Sequence, residues 1–382
     1  FLHIANTWLV FANLLLLAFS PIAAFIGALF FALHLAQVES VAWISGFKDL
    51  LSTFFGLLRL WSFVSFSQNP KKSRYRLATA LFILALLSKP SAVALVLIVL
   101  GIELGLRHQS FKLTARRLVP WVLLTLPIIW ITRDAQSEQT MKFIAPLWQR
   151  PFIAGDAAVF YFVKALAPLF SAADYSRTPQ RVLGAPWGYV AWMVLAIVFL
   201  LLRNKDRRWN ILLTTFVASL LPVLGLVPFS YQFFSTVADR YLYLPLVVGA
   251  ITIALIYDQS ARRARVLMFL VVAAMSVVTF QQVGTWKDDK TLFTHLLRVN
   301  NLGTLYENEG DLDQAEVHYR RALAINPAAY PAMYNLGRVL GRKGYDEEAL
   351  ALLLKLVEGA PQVDEAHFSI GFIYMRHRRF EL

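Results

Sequence analysis

Asn301-Leu302-Gly303, then Asn335-Leu336-Gly337, then Ile370-Gly371: the tail of this chain returns to one short pattern every 34 residues, with Gly303, Gly337 and Gly371 in register. A fixed period of that length marks stacked two-helix units, none of which can bury its apolar face alone. What precedes the tail has a different character. Ten apolar segments lie between residues 2 and 282, each close to the length a membrane helix needs. The expected fold class is all-α, a polytopic transmembrane helical domain of about ten spans followed by a helical repeat tail. The boundary falls at a change of composition, giving a membrane domain over 1–284 and a repeat domain over 285–382.

Of the 382 residues, 58% are hydrophobic and 16% charged, less charge than a soluble chain of this size carries. Cysteine is absent, which excludes disulfides, thiolate nucleophiles and thiolate metal sites. The net charge of +13 resides in the first domain, where 25 Lys+Arg stand against 10 Asp+Glu, whereas the tail holds 12 against 14. That distribution fits the positive-inside rule and not nucleic-acid binding. Four loops carry the basic residues: Lys71, Lys72, Arg74 and Arg76; Arg107, Lys112, Arg116 and Arg117; Arg203, Lys205, Arg207 and Arg208; Arg262, Arg263 and Arg265. If the ten segments alternate, all four face the cytoplasm and the repeats lie outside it. Residues 157–170 would break this parity as a span. With Lys164 and Pro168 among them, they read as a helix lying in the outer face.

The opposite loops hold the residues that carry chemistry. His34 and Glu39 stand five apart in a run continuing through Trp43 to Asp49. They suit a polar headgroup site, and equally an ordinary interface under an aromatic belt. Lys89 precedes Pro90 at the mouth of two segments, where an ammonium either snorkels or binds phosphate as a point charge. The run Ala238-Asp239-Arg240-Tyr241-Leu242-Tyr243 sets an arginine at the outer end of a segment, suited to bidentate phosphate contact; its structural alternative is an Asp239–Arg240 cap. Candidate phosphate-binding residues are thus Arg240 and Lys89, with His34, Glu39, Asp49, Asp239 and Tyr241 shaping the site. No cluster with metal-ligand spacing is present, so no cofactor is identified and a divalent metal is left open.

In the tail, Leu302, Gly303, Tyr306, Ala315, Tyr319, Ala322 and Pro327 match the tetratricopeptide pattern. Leu336, Gly337, Leu340, Ala349, Leu353 and Pro361 match it again, and Gly371 begins a third unit. Gly303, Ala315, Tyr319, Pro327, Gly337, Ala349, Pro361 and Gly371 are the expected packing positions. Such arrays present a concave surface for a protein or peptide partner.

The run His34–Asp49, the Ser88-Lys89-Pro90 turn, the Ala238–Pro245 run and Trp286-Lys287-Asp288, in that order before the repeats, resemble the bacterial relatives of the transmembrane and tetratricopeptide-repeat O-mannosyltransferases. Leu35 stands where that family has proline, and Phe47 where it usually has arginine. The resemblance implies a GT-C glycosyltransferase that takes sugar from a polyprenyl-phosphate donor on the extracytoplasmic face. Its partners would be membrane lipid, the lipid-linked donor and an acceptor protein. It further implies a bacterial inner-membrane location, with the catalytic acidic residue expected in an outer loop before Phe1; starting inside an apolar run and stopping inside a repeat, the chain reads as a fragment incomplete at both ends. The alternative is a non-enzymatic, membrane-anchored repeat scaffold for envelope complexes.

Overall fold

The computed structural model describes residues 1–135, 144–168, 175, 177–233, 235–285, 299–325 and 329–376; among these the fold is helical, with no strand. Contacts divide the chain into two units, Phe1–Gly284 and Thr285–Leu382. The first contains α1 (Leu2–Leu16), α2 (Pro21–Leu33), α3 (Gln37–Ala42), α4 (Phe47–Gln68), α5 (Lys72–Ser88), α6 (Ala94–Gly105), α7 (Phe111–Asp134), α8 (Arg150–Leu166), α9 (Pro179–Leu183), α10 (Pro186–Leu202), α11 (Arg207–Ser219), α12 (Leu246–Gln259) and α13 (Arg262–Thr285).

All ten apolar segments contain helix, yet the expected count of about ten spans is corrected. Among the described residues, three helices are long and apolar enough to cross a membrane: Ile44–Gln68, Phe111–Asp134 and Arg262–Gly284. Five shorter apolar helices accompany them, Leu2–Leu16, Pro21–Leu33, Pro90–Gly105, Pro186–Leu202 and Leu246–Gln259. Length decides the matter: α2, with 13 residues, rises about 20 Å against a hydrocarbon layer of about 30 Å. Proline is one reason the helices are short. Pro21 and Pro186 occupy first turns, where the missing N–H costs nothing. The stretch at 210–228 leaves the α-helix at Ser219 and passes Pro222 in a 3-10 turn. The next segment becomes α-helical only after Pro245.

Small residues let the core helices close on one another. On α2, Ala23, Ala24, Gly27 and Ala28 are buried, and α2 packs against α12, where Ala250 and Ala254 are buried. A Cβ on Gly27 would lie 2.6 Å from the Ala250 carbonyl oxygen and 3.3 Å from the Ala254 Cβ. Backbone cannot yield as a side-chain tip can, so this contact fixes the helix separation. Gly27→Val is therefore expected to destabilise the unit by about 1–3 kcal/mol, read as a lower unfolding midpoint in mild detergent. An unchanged midpoint would show that the two helices can part freely.

The second unit contains α14 (Val299–Asn308), α15 (Leu312–Ile325), α16 (Tyr330–Lys343), α17 (Asp346–Gly359) and α18 (Asp364–Arg376). A Cβ on Gly303 would meet the Tyr319 ring at 2.6 Å, and one on Gly337 would meet Leu353 at 2.7 Å. Each glycine thus seats a bulky residue sixteen positions on, while Ala315 and Ala349 are fully buried beside them. Two of the expected packing positions behave differently. A Cβ on Gly371 would meet nothing within 4 Å. Pro361 is exposed in the turn after α17, where its carbonyl accepts from His367 Nε2 at 3.0 Å. Pro327 lies outside the described residues, as does Trp286-Lys287-Asp288. The buried Glu307 carboxylate accepts from the Tyr319 hydroxyl at 3.0 Å, from Arg338 at 2.8 Å and from Arg342 at 3.0 Å. One carboxylate thereby ties α14 to both α15 and α16.

Candidate functional site

Glu39 and Arg240 lie 201 positions apart in sequence, and the fold pairs them. The short α3 brings Glu39 against the 3-10 turn Asp239–Leu242, and both side chains are buried. Arg240 Nη1 donates to Glu39 Oε1 at 2.5 Å, and the Arg240 backbone N–H donates to Oε2 at 2.9 Å. Three rings surround the guanidinium: Tyr231 at 4.2 Å, Tyr241 at 5.0 Å and Trp43 at 5.3 Å. This arrangement favours arginine, whose planar cation stacks on aromatic faces and is weakly hydrated. Burial pushes the Glu39 carboxyl up to about 7 against the opposing pull of Arg240. Burial also works against the Arg240 charge, but Glu39 together with Tyr241 and Tyr231 outweighs it and holds the guanidinium above its ordinary range.

Asp239 turns the other way. Its carboxylate lies 3.2 Å from Lys164 Nζ and accepts from the Tyr175 hydroxyl at 2.7 Å, while Lys164 donates to that hydroxyl at 2.6 Å. The Asp239–Arg240 cap is therefore not formed: the turn has no side-chain cap, and the neighbours reach separate partners. The turn is also held from below, because the Ala238 N–H donates to the Tyr161 hydroxyl at 3.0 Å.

Lys89, which follows α5, pairs with Asp49 at the start of α4. Burial pulls its ammonium below the usual lysine range, with Asp49 opposing. Asp49, Lys89, Ser91, Ser219, Arg240 and Tyr241 line one small cleft of about 20 Å³. The two candidate phosphate cations thus share one cavity, and each already has a carboxylate.

His34 lies just past the end of α2 and faces away from that cleft. Its Nδ1 accepts from the Ala36 N–H at 3.2 Å, and its Nε2 points to the Ala165 carbonyl at 3.3 Å. One ring nitrogen accepts and the other donates, which requires the neutral imidazole. Burial, with Lys164 nearby, pushes its pKa down to about 4 despite the Ala165 contact. The unfolded chain, with an ordinary histidine near 6.5, binds the proton more tightly. Stability is therefore full above about 6.5 and declines as pH falls toward 4, by about 3 kcal/mol from this residue. An unfolding midpoint measured from pH 7.5 to 4 should fall, and the fall should be smaller in His34→Gln. Equal pH dependence in the two proteins would exclude a buried neutral His34.

The site residues expected from sequence fall into two groups. Arg240, Lys89, Asp49 and Tyr241 line the cleft, with Glu39 behind Arg240. Asp239 and His34 join the layer around Lys164 and Ala165 instead. Sequence reasoning counted Tyr161 and Tyr175 only as polar groups of the long outer loop and placed neither Lys164 nor Tyr231 in the site. Lys164 is the one with a legible signal, a lysine in an apolar helix that had to be buried or at an interface.

Apolar helices with large exposed hydrophobic faces, a charged cleft where helices end and a two-helix repeat unit together define a helical membrane protein with a repeat tail. Comparison with known proteins agrees. The tetratricopeptide repeat profile matches residues 300–328. A protein O-mannosyl-transferase of Caenorhabditis elegans is 23% identical over 80% of this chain and 46% of its own length. The Drosophila melanogaster protein O-mannosyl-transferase Tmtc3 is 24% identical over 85% of this chain and 43% of its own length, and Tmtc2 of the same organism is 31% identical over 35% and 12%. The chain is thus similar, over most of its length, to the transmembrane and tetratricopeptide-repeat protein O-mannosyltransferases, and it spans under half the length of these first two relatives.

Proposed function

We propose that the chain is part of a GT-C glycosyltransferase that moves a sugar from a polyprenyl-phosphate carrier to a protein hydroxyl. The sugar would be handled at the extracytoplasmic face of a bacterial inner membrane. The observation that carries this reading is the cleft holding Arg240 and Lys89 together. The two cations come from distant parts of the sequence, and a phosphate leaving group needs such stabilisation as its negative charge develops. Glu39 orients Arg240 and Asp49 orients Lys89, and Ser91 and Ser219 add hydroxyls. The general base that accepts the acceptor's proton is not assigned to a residue of this chain. The basic loops would face the cytoplasm, and the repeats would hold the acceptor on the other side.

Donor affinity tests the assignment directly. Arg240→Lys should bind a polyprenyl-phosphate sugar more weakly, because an ammonium cannot make the planar two-point contact. Lys89→Gln should lose about ten- to a hundredfold, the worth of one charge-assisted contact. Folded variants that keep wild-type affinity would remove both residues from the donor site. The second reading, a repeat scaffold without catalysis, is favoured by one fact: each cleft cation is already neutralised by a carboxylate. It predicts no donor binding in the wild-type protein.

A further inference from the structure

A second cavity lies between α8 and α10, about 790 Å³ with its opening, and it has no lining residue in common with the Arg240 cleft. Its walls are mostly apolar, with Val159, Phe160 and Val163 from α8 and Trp187, Val190 and Val194 from α10, and Lys164, already paired with Asp239, also lines it. Three of these are exposed on α10, at 55% for Trp187, 52% for Val190 and 42% for Val194. The same helix exposes Met193, Ile197, Leu200 and Leu201. An apolar face this continuous is tolerated against lipid chains and not against water.

One charged group at the rim is arranged for an outside partner. Arg177 directs Nε and Nη2 to the buried Asp156 and sits over the Phe160 ring at 5.5 Å. Asp156 thus fixes the plane of the guanidinium. Its Nη1 has no hydrogen-bond partner among the described residues, and the side chain is 30% exposed. A pinned guanidinium at the mouth of an apolar groove matches an amphiphile with a phosphate head.

We propose that this groove binds a membrane glycerophospholipid, with one acyl chain along Phe160, Val163, Val190 and Val194 and the phosphodiester on Arg177. The site is separate from the donor cleft, and its lipid is bound and not consumed. It requires only the membrane reading and does not depend on sugar transfer.

The test is lipid retention by the whole chain in mild detergent, measured by native mass spectrometry and by titration with dioleoylphosphatidylglycerol. The wild-type protein should carry one phospholipid at saturation. Arg177→Gln should bind it about tenfold more weakly. Val190→Trp, at an exposed position where the added ring enters the groove without disturbing the core, should bind it less well again. Failure of the wild-type protein to retain phospholipid would overturn the proposal, as would equal retention in both variants. So would displacement of the phospholipid by polyprenyl phosphate in the wild type but not in Arg177→Gln, since the groove would then belong to the donor.

Discussion

Glu39→Leu is expected to destabilise the helical unit by about 3–5 kcal/mol, because it leaves the Arg240 charge buried without its carboxylate. The Glu39 side chain is fully buried and accepts both the guanidinium and the Arg240 backbone N–H, so one substitution removes an ionic and a backbone contact together. Arg240→Met is expected to cost a similar amount by stranding Glu39. The double variant should recover most of the loss, since replacing both ions by apolar groups of similar volume is often neutral. Unfolding of all four proteins in one detergent gives the coupling energy directly. Additive losses would mean that the two side chains do not interact in solution. This cycle also separates roles: a folded double variant that still binds donor would reduce the pair to a structural tie.

Lys164→Met should be nearly as damaging, at about 3–5 kcal/mol. Its ammonium is 3% exposed and faces a fully buried Asp239. Methionine keeps the apolar stem but takes the cation from the carboxylate. The Tyr175 hydroxyl would still donate to Asp239, which sets the lower end of the expected range. Lys164→Met with Asp239→Leu should regain stability. If Lys164→Met alone lowers the midpoint no more than a surface substitution does, within about 0.5 kcal/mol, the buried network is not formed as described.

Much of the architecture was legible without coordinates, because its signals are local. A 34-residue period sets the positions of Gly303, Gly337 and Gly371 and of the large residues that recur with them, while the side chain that each seats, Tyr319 on Gly303 and Leu353 on Gly337, is decided by the helix packing. Apolar segments read as helices for the same reason. Their number as spans did not follow, since composition measures hydrophobicity, whereas crossing depends on unbroken helical length. Pro222 and Pro245 interrupt stretches that look continuous by hydropathy.

By itself the sequence determined the helical class, the change of character near residue 285, the repeat register and the set of polar residues gathered in a few loops. Periodicity and composition act between near neighbours, and those are readable along a line. Only the tertiary structure decided the partners within that set. Arg240 could pair with its neighbour Asp239, with Glu39 or with a ligand, and each choice satisfies local chemistry. The fold selects Glu39 for Arg240 and Lys164 for Asp239 because the turn at 239–242 directs successive side chains to opposite sides. The competing partners are held 201 positions away on α3 and 75 positions away on α8. In a buried site of low polarity, which carboxylate meets which cation sets the electrostatics, and that meeting is a long-range contact that no local pattern encodes.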